Sequence, residues 1–182
     1  MCSAVHPQFS HCGIYARDID RQIDFYTRVV GLVVADRGYS ATAKHDFVFL
    51  TASPEHHHQV VFISGRDREA PTTVNQLSFK VGDLDQLKEM YRRARDYGIT
   101  EFRQICHGNA LSFYCSDPEG NGIEIYIDTP WYIPQPHGVP VDLSRPNDEI
   151  MTVTERHCRE TPGYLPLAAW KAEVANRLAR AP

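Results

Sequence analysis

The chain says the same thing twice. "FSHCGIYARDIDRQIDFYTRVVGL" begins at Phe9 and "VNQLSFKVGDLDQLKEMYRRARDYGI" begins at Val74. Each opens with a short strand, reaches Asp-Ile-Asp (18–20) or Asp-Leu-Asp (83–85), and runs into an amphipathic helix. Asp20 and Asp85 stand where first-turn acids or N-caps belong. Ile23, Tyr26 and Val30 give the first helix an apolar stripe, as Leu87, Met90, Tyr91 and Ala94 do the second. Gly31 and Gly98 end them. Strand candidates follow in both halves, at 47–50 and 59–63 and again at 111–115 and 123–127. Strand, turn, helix and stop recur in order at a spacing of 65 residues, the distance from His11 to Gln76. The expected fold class is α+β, with two βαβββ modules at about 8–66 and 73–130 in a domain spanning 1–130. A C-terminal arm and helix would occupy 131–182.

Strand parity sorts the candidate site residues. Leu77, Phe79 and Val81 share one face of their strand, which must pack on helices, so Gln76 points the other way, into a cavity. His11 is its counterpart in the repeat and should face the same cavity. Ile123, Ile125 and Ile127 alternate with Glu124, Tyr126 and Asp128, which puts an acid mid-strand on the face away from the helices. The "DPEGNG" before that strand reads as a tight reversal, with Pro118 fixing φ and Gly120 and Gly122 tolerating positive φ.

Composition narrows the partners. A formal charge of −4 with scattered basic residues argues against nucleic acid, and no stretch nears the roughly 18 apolar residues of a membrane span. "MCSAVHPQFS" lacks the basic and apolar regions of a secretion signal. Five cysteines without framework spacing read as reduced thiols, so a cytoplasmic location is expected. Nine histidines are unusual, and His56, His57 and His58 are consecutive.

The double βαβββ pattern resembles the vicinal oxygen chelate superfamily over about residues 8–130. That superfamily includes glyoxalase I, fosfomycin-resistance proteins, bleomycin-binding proteins and type I extradiol dioxygenases. Within it, "ICHGNALSFYCSDPEGNGIE" is similar to the extradiol ring-cleavage signature, with His107, Phe113, Tyr114, Asp117, Pro118, Gly120 and Glu124 at its demanded positions.

The resemblance implies a cupped mixed β-sheet around a metal site. It implies Fe(2+), with Mn, Ni or Zn as other divalent candidates, held by His11, Gln76 and Glu124. A two-histidine, one-carboxylate set leaves coordination positions open for oxygen chemistry. Gln76 departs from it, because "VNQLSF" has glutamine where close relatives have histidine, and an amide oxygen is a weaker donor. His58 matches the active-site histidine of the first module, although the run of three leaves the register open by one residue. His107 and Tyr114 match the groups that exchange protons and hydrogen bonds with a catecholate. His57, Asn109 and Trp131 are expected to bind substrate, with Trp131, Tyr132 and Pro134 covering the pocket or bracing a dimer. The expected activity is extradiol cleavage of a small aromatic diol by dioxygen, in a homo-oligomer. The alternative is a glyoxalase-like isomerase or lyase, or a binding protein without chemistry. Beyond Asp128 the proline-rich "TPWYIPQPHGVPVDLSRPNDEI" should hold no regular helix or central strand, and a last helix is expected at about 167–180.

Overall fold

The two aspartate pairs start the two repeat helices, with the cap two residues ahead of the first-turn acid. In the computed structural model, which describes residues 5–180, β1 (Cys12–Ala16) leads to Asp18, whose side chain accepts from the Arg21 amide at 3.0 Å. α1 (Ile19–Phe25) continues as a π-helical turn over Tyr26–Val30 and ends on Gly31 at φ 84. Three strands complete the first module: β2 (Val33–Ser40), β3 (His45–Thr51) and β4 (Val60–Ser64). The second module repeats the plan. β5 (Leu77–Lys80) precedes α2 (Leu84–Asp96), which is capped by Asp83 accepting from the Gln86 amide at 2.8 Å. β6 (Arg103–Cys106), β7 (Ala110–Ser116) and β8 (Gly122–Asp128) follow. Asp20 and Asp85 are the first-turn acids of these helices. The first helix buries Gln22, Phe25, Tyr26 and Val29, leaving Ile23 and Val30 partly buried.

The sheets mirror each other. One runs β1-β4-β3-β2, and the other runs β6-β7-β8-β5 before the arm adds a further edge. β1 pairs parallel with β4 and β5 parallel with β8, while the other pairings are antiparallel. The mixed sheet is therefore hydrogen-bonded as two pieces, with β1 and β5 each at an edge.

The arm is more regular than its prolines suggest. β9 (Trp131–Tyr132) is followed by β10 (Val139–Pro140), an edge pair on β6. α3 (Asn147–Glu160), which the sequence reading leaves out, buries Ile150, Thr154 and Cys158 at four-residue spacing. β11 (Leu165–Pro166) pairs with β9, and α4 (Leu167–Leu178) lays Trp170 on the Tyr132 ring, centroids 5.2 Å apart. Pro140 is tolerated because it sits on an edge. The fifth cysteine, Cys2, lies outside the described residues with the start of the N-terminal segment; Cys12, Cys106, Cys115 and Cys158 are free thiols.

One turn joins the modules. Asp117, buried between β7 and β8, accepts from Gln22 Nε2 (3.0 Å) and the Tyr26 hydroxyl (3.2 Å) on the first module's helix. It also accepts from Asn121 Nδ2 (2.7 Å) and the amides of Glu119 and Asn121, closing its own turn. Two residues on, Glu119 forms a buried ion pair with Arg66 (3.2 Å) and accepts from the Arg17 and Asp18 amides. Burial and the neighbouring Asp117 carboxylate push the Tyr26 hydroxyl far above its ordinary pKa, so it remains a donor.

Gly122, beginning β8, decides how closely β5 can approach. A Cβ there would run into the carbonyl oxygen of Asn75, the residue before Gln76. Gly122→Ala should therefore push the Gln76 segment off β8 and cost about 1–3 kcal/mol. Asp117→Ala, which strands buried donors, should cost about 3 kcal/mol or more, against about 1 kcal/mol for Tyr26→Phe. Urea unfolding of the variants ranks them, and an Asp117→Ala cost no larger than that of Tyr26→Phe would remove the clamp role.

Candidate functional site

The three isoleucines of β8 sink into the core, and Glu124 is carried to the opposite face between β5 and β7. Its carboxylate is nonetheless buried, the residue being only 8% exposed. Four neutral donors hold it. Oε1 accepts from Ser112 Oγ (2.8 Å) and the Tyr114 hydroxyl (2.5 Å); Oε2 accepts from Gln76 Nε2 (2.9 Å) and Ser78 Oγ (2.5 Å). Among the described residues no lysine or arginine pairs with it, and the basic side chain within ion-pair reach is His107, Nε2 at 4.0 Å. Removing a carboxylate from water costs several kcal/mol unless a cation compensates. Four dipoles lower that cost without cancelling the charge, so this donor set fits a cation.

His107, at the turn after β6, extends the network. The Tyr114 hydroxyl lies 2.8 Å from His107 Nε2, and His107 Nδ1 lies 2.6 Å from the backbone oxygen of His137. A carbonyl only accepts, so the Nδ1 position carries a hydrogen. Tyr114 thus stands between a carboxylate and an imidazole, a line along which one proton can pass. Burial, and then Glu124, raise the Tyr114 pKa, while the Arg103 guanidinium 4.9 Å above its ring works in the opposite direction. A solvent-open groove of about 870 Å³ runs past Gln76, Arg103 and Tyr114.

The other candidates gather elsewhere. His11 and Gln76, expected on strands, each sit one residue ahead of β1 and β5. His11 is exposed, its ring 4.2 Å from that of His58. His57 and His58 face each other through Nδ1 at 2.9 Å, and His57 Nε2 reaches Asp36 at 2.7 Å. Burial and the two neighbouring imidazoles lower the His58 pKa, keeping it neutral. One network therefore unites Gln76, His107, Tyr114 and Glu124; a second unites His11, His57 and His58. No hydrogen bond between them occurs among the described residues, where no three His, Cys, Asp or Glu side chains converge on one point. Asn109 accepts from Gln135 Nε2 at 3.2 Å. Trp131 is buried in a small cluster with Ile133 and Cys158, so packing surrounds its indole where a pocket cover was expected. Sequence reasoning passed over Ser78 and Ser112, although parity with Gln76 and Tyr114 puts both on the Glu124 face.

The comparisons agree with this architecture. Residues 8–125 match the Glyoxalase/Bleomycin resistance protein/Dioxygenase superfamily. The chain belongs to that superfamily. Biphenyl-2,3-diol 1,2-dioxygenase 3 of Rhodococcus globerulus is 30% identical over 129 residues, 68% of this chain and 65% of the relative. The match thus spans just under two thirds of that relative's length. Lactoylglutathione lyase of Escherichia coli O157:H7 is 24% identical over 119 residues, covering 63% of this chain and 88% of the lyase. In fold, the chain is similar to the fosfomycin resistance protein FosX of Listeria monocytogenes, solved with Mn(II) and sulfate. The TM-score is 0.52 and the identity 16%, covering 71% of this chain and 95% of FosX. The matched segment ends before α3 and α4. No helix among the described residues is long and apolar enough to cross a membrane.

The hydrogen bond from Tyr114 to Glu124 makes a spectroscopic prediction. In metal-stripped protein, the phenolate absorbance lost on Tyr114→Phe should emerge only well above pH 10, the ordinary tyrosine value. Glu124→Gln, which removes the negative charge, should move that step down. A Tyr114 phenolate forming at the ordinary value in the parent protein would show that the bond is absent in solution.

Proposed function

We propose that this chain is a metal-dependent extradiol dioxygenase that opens the ring of a small catechol-type diol with dioxygen. The observation that carries the reading is the buried Glu124 carboxylate, held by neutral donors and joined through Tyr114 to His107. Its similarity to a biphenyl-2,3-diol dioxygenase supports the same chemistry.

Glu124 would hold the ion together with Gln76 and with His11 from the first module. Iron(II) is the metal that this chemistry favours, with Mn, Ni or Zn as alternatives. When bound, the metal supplies Lewis acidity toward the diol and an electron source for dioxygen. The Gln76 amide, whose nitrogen now donates to Glu124, would turn to offer its oxygen. The chain's own groups do the rest. Tyr114, kept protonated by its surroundings, donates a hydrogen bond to a substrate oxygen. His107 takes or returns a proton at Nε2, its other nitrogen being fixed by the His137 carbonyl. His58, kept neutral by burial and its neighbours, can accept a proton from the first-module side. His57 beside it, with Asn109 near the arm, would contact the diol. A homodimer is part of this reading.

One observation favours a second reading, a metal-dependent isomerase or lyase of the same superfamily. Gln76 offers a neutral amide where a ferrous site prefers imidazole, and the similarity to a lactoylglutathione lyase points the same way.

Glu124→Ala should abolish both metal retention and turnover, because the carboxylate alone supplies compensating negative charge. Tyr114→Phe should retain metal but slow turnover by roughly 100-fold. Gln76→His should raise iron retention and keep or improve activity on catechols. Iron content and catechol-dependent oxygen uptake, measured on parent and variants together, decide the matter. More iron in Gln76→His with no oxygen uptake in either protein would defeat the dioxygenase reading.

A further inference from the structure

We propose that α3 and the arm serve the site as a positioning chain, in which His157 holds His137 and His137 holds His107 in the tautomer with its hydrogen on Nδ1. The role of that tautomer in turnover rests on the function proposed above. The tautomer itself does not.

His107 belongs to the turn between β6 and β7, and the arm grips that turn at several points. Gln135 Nε2 donates to the His107 backbone oxygen at 2.8 Å and to Asn109 Oδ1 at 3.2 Å. Gln135 Oε1 accepts from the His137 amide at 3.0 Å, and the His137 carbonyl takes His107 Nδ1 at 2.6 Å. The His137 peptide is thus fastened on the amide side by Gln135. Its ring is fastened by α3, His137 Nε2 lying 2.8 Å from His157 Nε2 with ring centroids 5.0 Å apart. From the next residue of α3, Cys158 Sγ approaches the Gly108 oxygen at 3.6 Å, and Thr129 Oγ1 donates to the same oxygen at 2.5 Å. Gly108 itself has φ 77, and a Cβ there would collide with the Ile133 side chain, so the turn and the arm fit only without a side chain at 108.

The chemistry of this chain is specific. Two imidazole nitrogens 2.8 Å apart attract only when one bears a hydrogen and the other a lone pair. A pair in which both Nε2 atoms carry hydrogens has lost its bond. The His137 pKa is lowered by burial and then by His157 and His107, in keeping with a neutral partner. The backbone oxygen at the other end of the chain can only accept, so His107 must present N–H through Nδ1 and direct Nε2 at Tyr114. An imidazole free to flip would exchange the two nitrogens and lose one bond or the other. The same logic operates where a carboxylate or carbonyl fixes the ring of a metal-binding or catalytic histidine. What differs is that the anchoring helix lies past the segment shared with the superfamily.

The test uses the full chain, metal-free and labelled with ¹⁵N in histidine. In the parent protein His107 should show a protonated Nδ1, held by the His137 carbonyl. His157→Ala should give a mixture of tautomers, and His157→Gln, whose amide can still donate to His137 Nε2, should restore the single form. With metal and catechol, His157→Ala should lower kcat roughly 10- to 100-fold while KM and iron content stay within about twofold, with recovery in His157→Gln. Should His157→Ala fail to fold, Gln135→Ala releases the opposite end of the His137 peptide and should produce the same mixture. A parent protein with unprotonated Nδ1, or folded His157→Ala and Gln135→Ala variants with unchanged tautomers, would overturn the proposal. If no variant turns over catechol but the tautomers respond as expected, the positioning chain stands and the dioxygenase reading falls.

Discussion

The buried carboxylate of Asp117 is the polar centre of the contact between the two halves. It takes hydrogen bonds from the first module's helix and from its own turn at once. A carboxylate has about four lone-pair directions, and a tight turn uses only some of them. Those left over bind Gln22 and Tyr26, so folding the turn and docking the helix become one event. Glu119 reinforces this by pairing with buried Arg66 and capping the start of α1 through the Arg17 and Asp18 amides. A turn that reads in sequence as simple chain reversal is therefore the clasp between modules.

The clasp and the site share one strand. β8 leaves the Asp117 turn with three buried isoleucines on one face, which fixes its rotation and thereby the direction of Glu124. Gly122 lets the β5 lead-in come close enough for Gln76 to reach that carboxylate. Packing on one face and a missing side chain at its start thus set up a charged group on the other. Ser78, Ser112 and Tyr114 complete the cradle from the two neighbouring strands.

Much of this was legible beforehand. Period-2 alternation predicts the rotation of β8, and the repeat predicts two matched modules, because both report which residues meet the core. β2 escaped the same test. Seven of its eight residues are exposed, so neither face imposes a pattern. β6 is four residues long and offers too few positions to show one. α3 was hidden for another reason, since it begins directly after a proline-rich stretch. Even so, Asp148 and Glu149 in its first turn and the spacing of Ile150, Thr154 and Cys158 are helical signals. Trp131 was placed by its proximity to Glu124 in sequence, but its indole is claimed by Ile133 and Cys158, the latter from a helix the pattern did not show.

The repeat equates His11 with Gln76, and the structure gives them equivalent places one residue ahead of their strands but opposite surroundings. Gln76 meets a buried carboxylate to which its amide can donate. His11 meets another imidazole on an exposed face. Near Glu124 a neutral imidazole could offer a single N–H, whereas an amide offers two and still keeps an acceptor. That surplus is used, since Gln76 Nε2 donates to Ser78 as well as to Glu124. In the first module no carboxylate stands opposite His11 on β4, where the matching strand carries Val60 to Ser64. Its imidazoles surround no buried anion, and His57 turns instead to Asp36 on β2. The two modules thus carry different side-chain clusters at matching places. One holds a buried carboxylate among neutral donors, and the other holds a cluster of imidazoles beside solvent. Duplication supplied the common backbone; the presence of Glu124 on only one of the two final strands made the halves unlike.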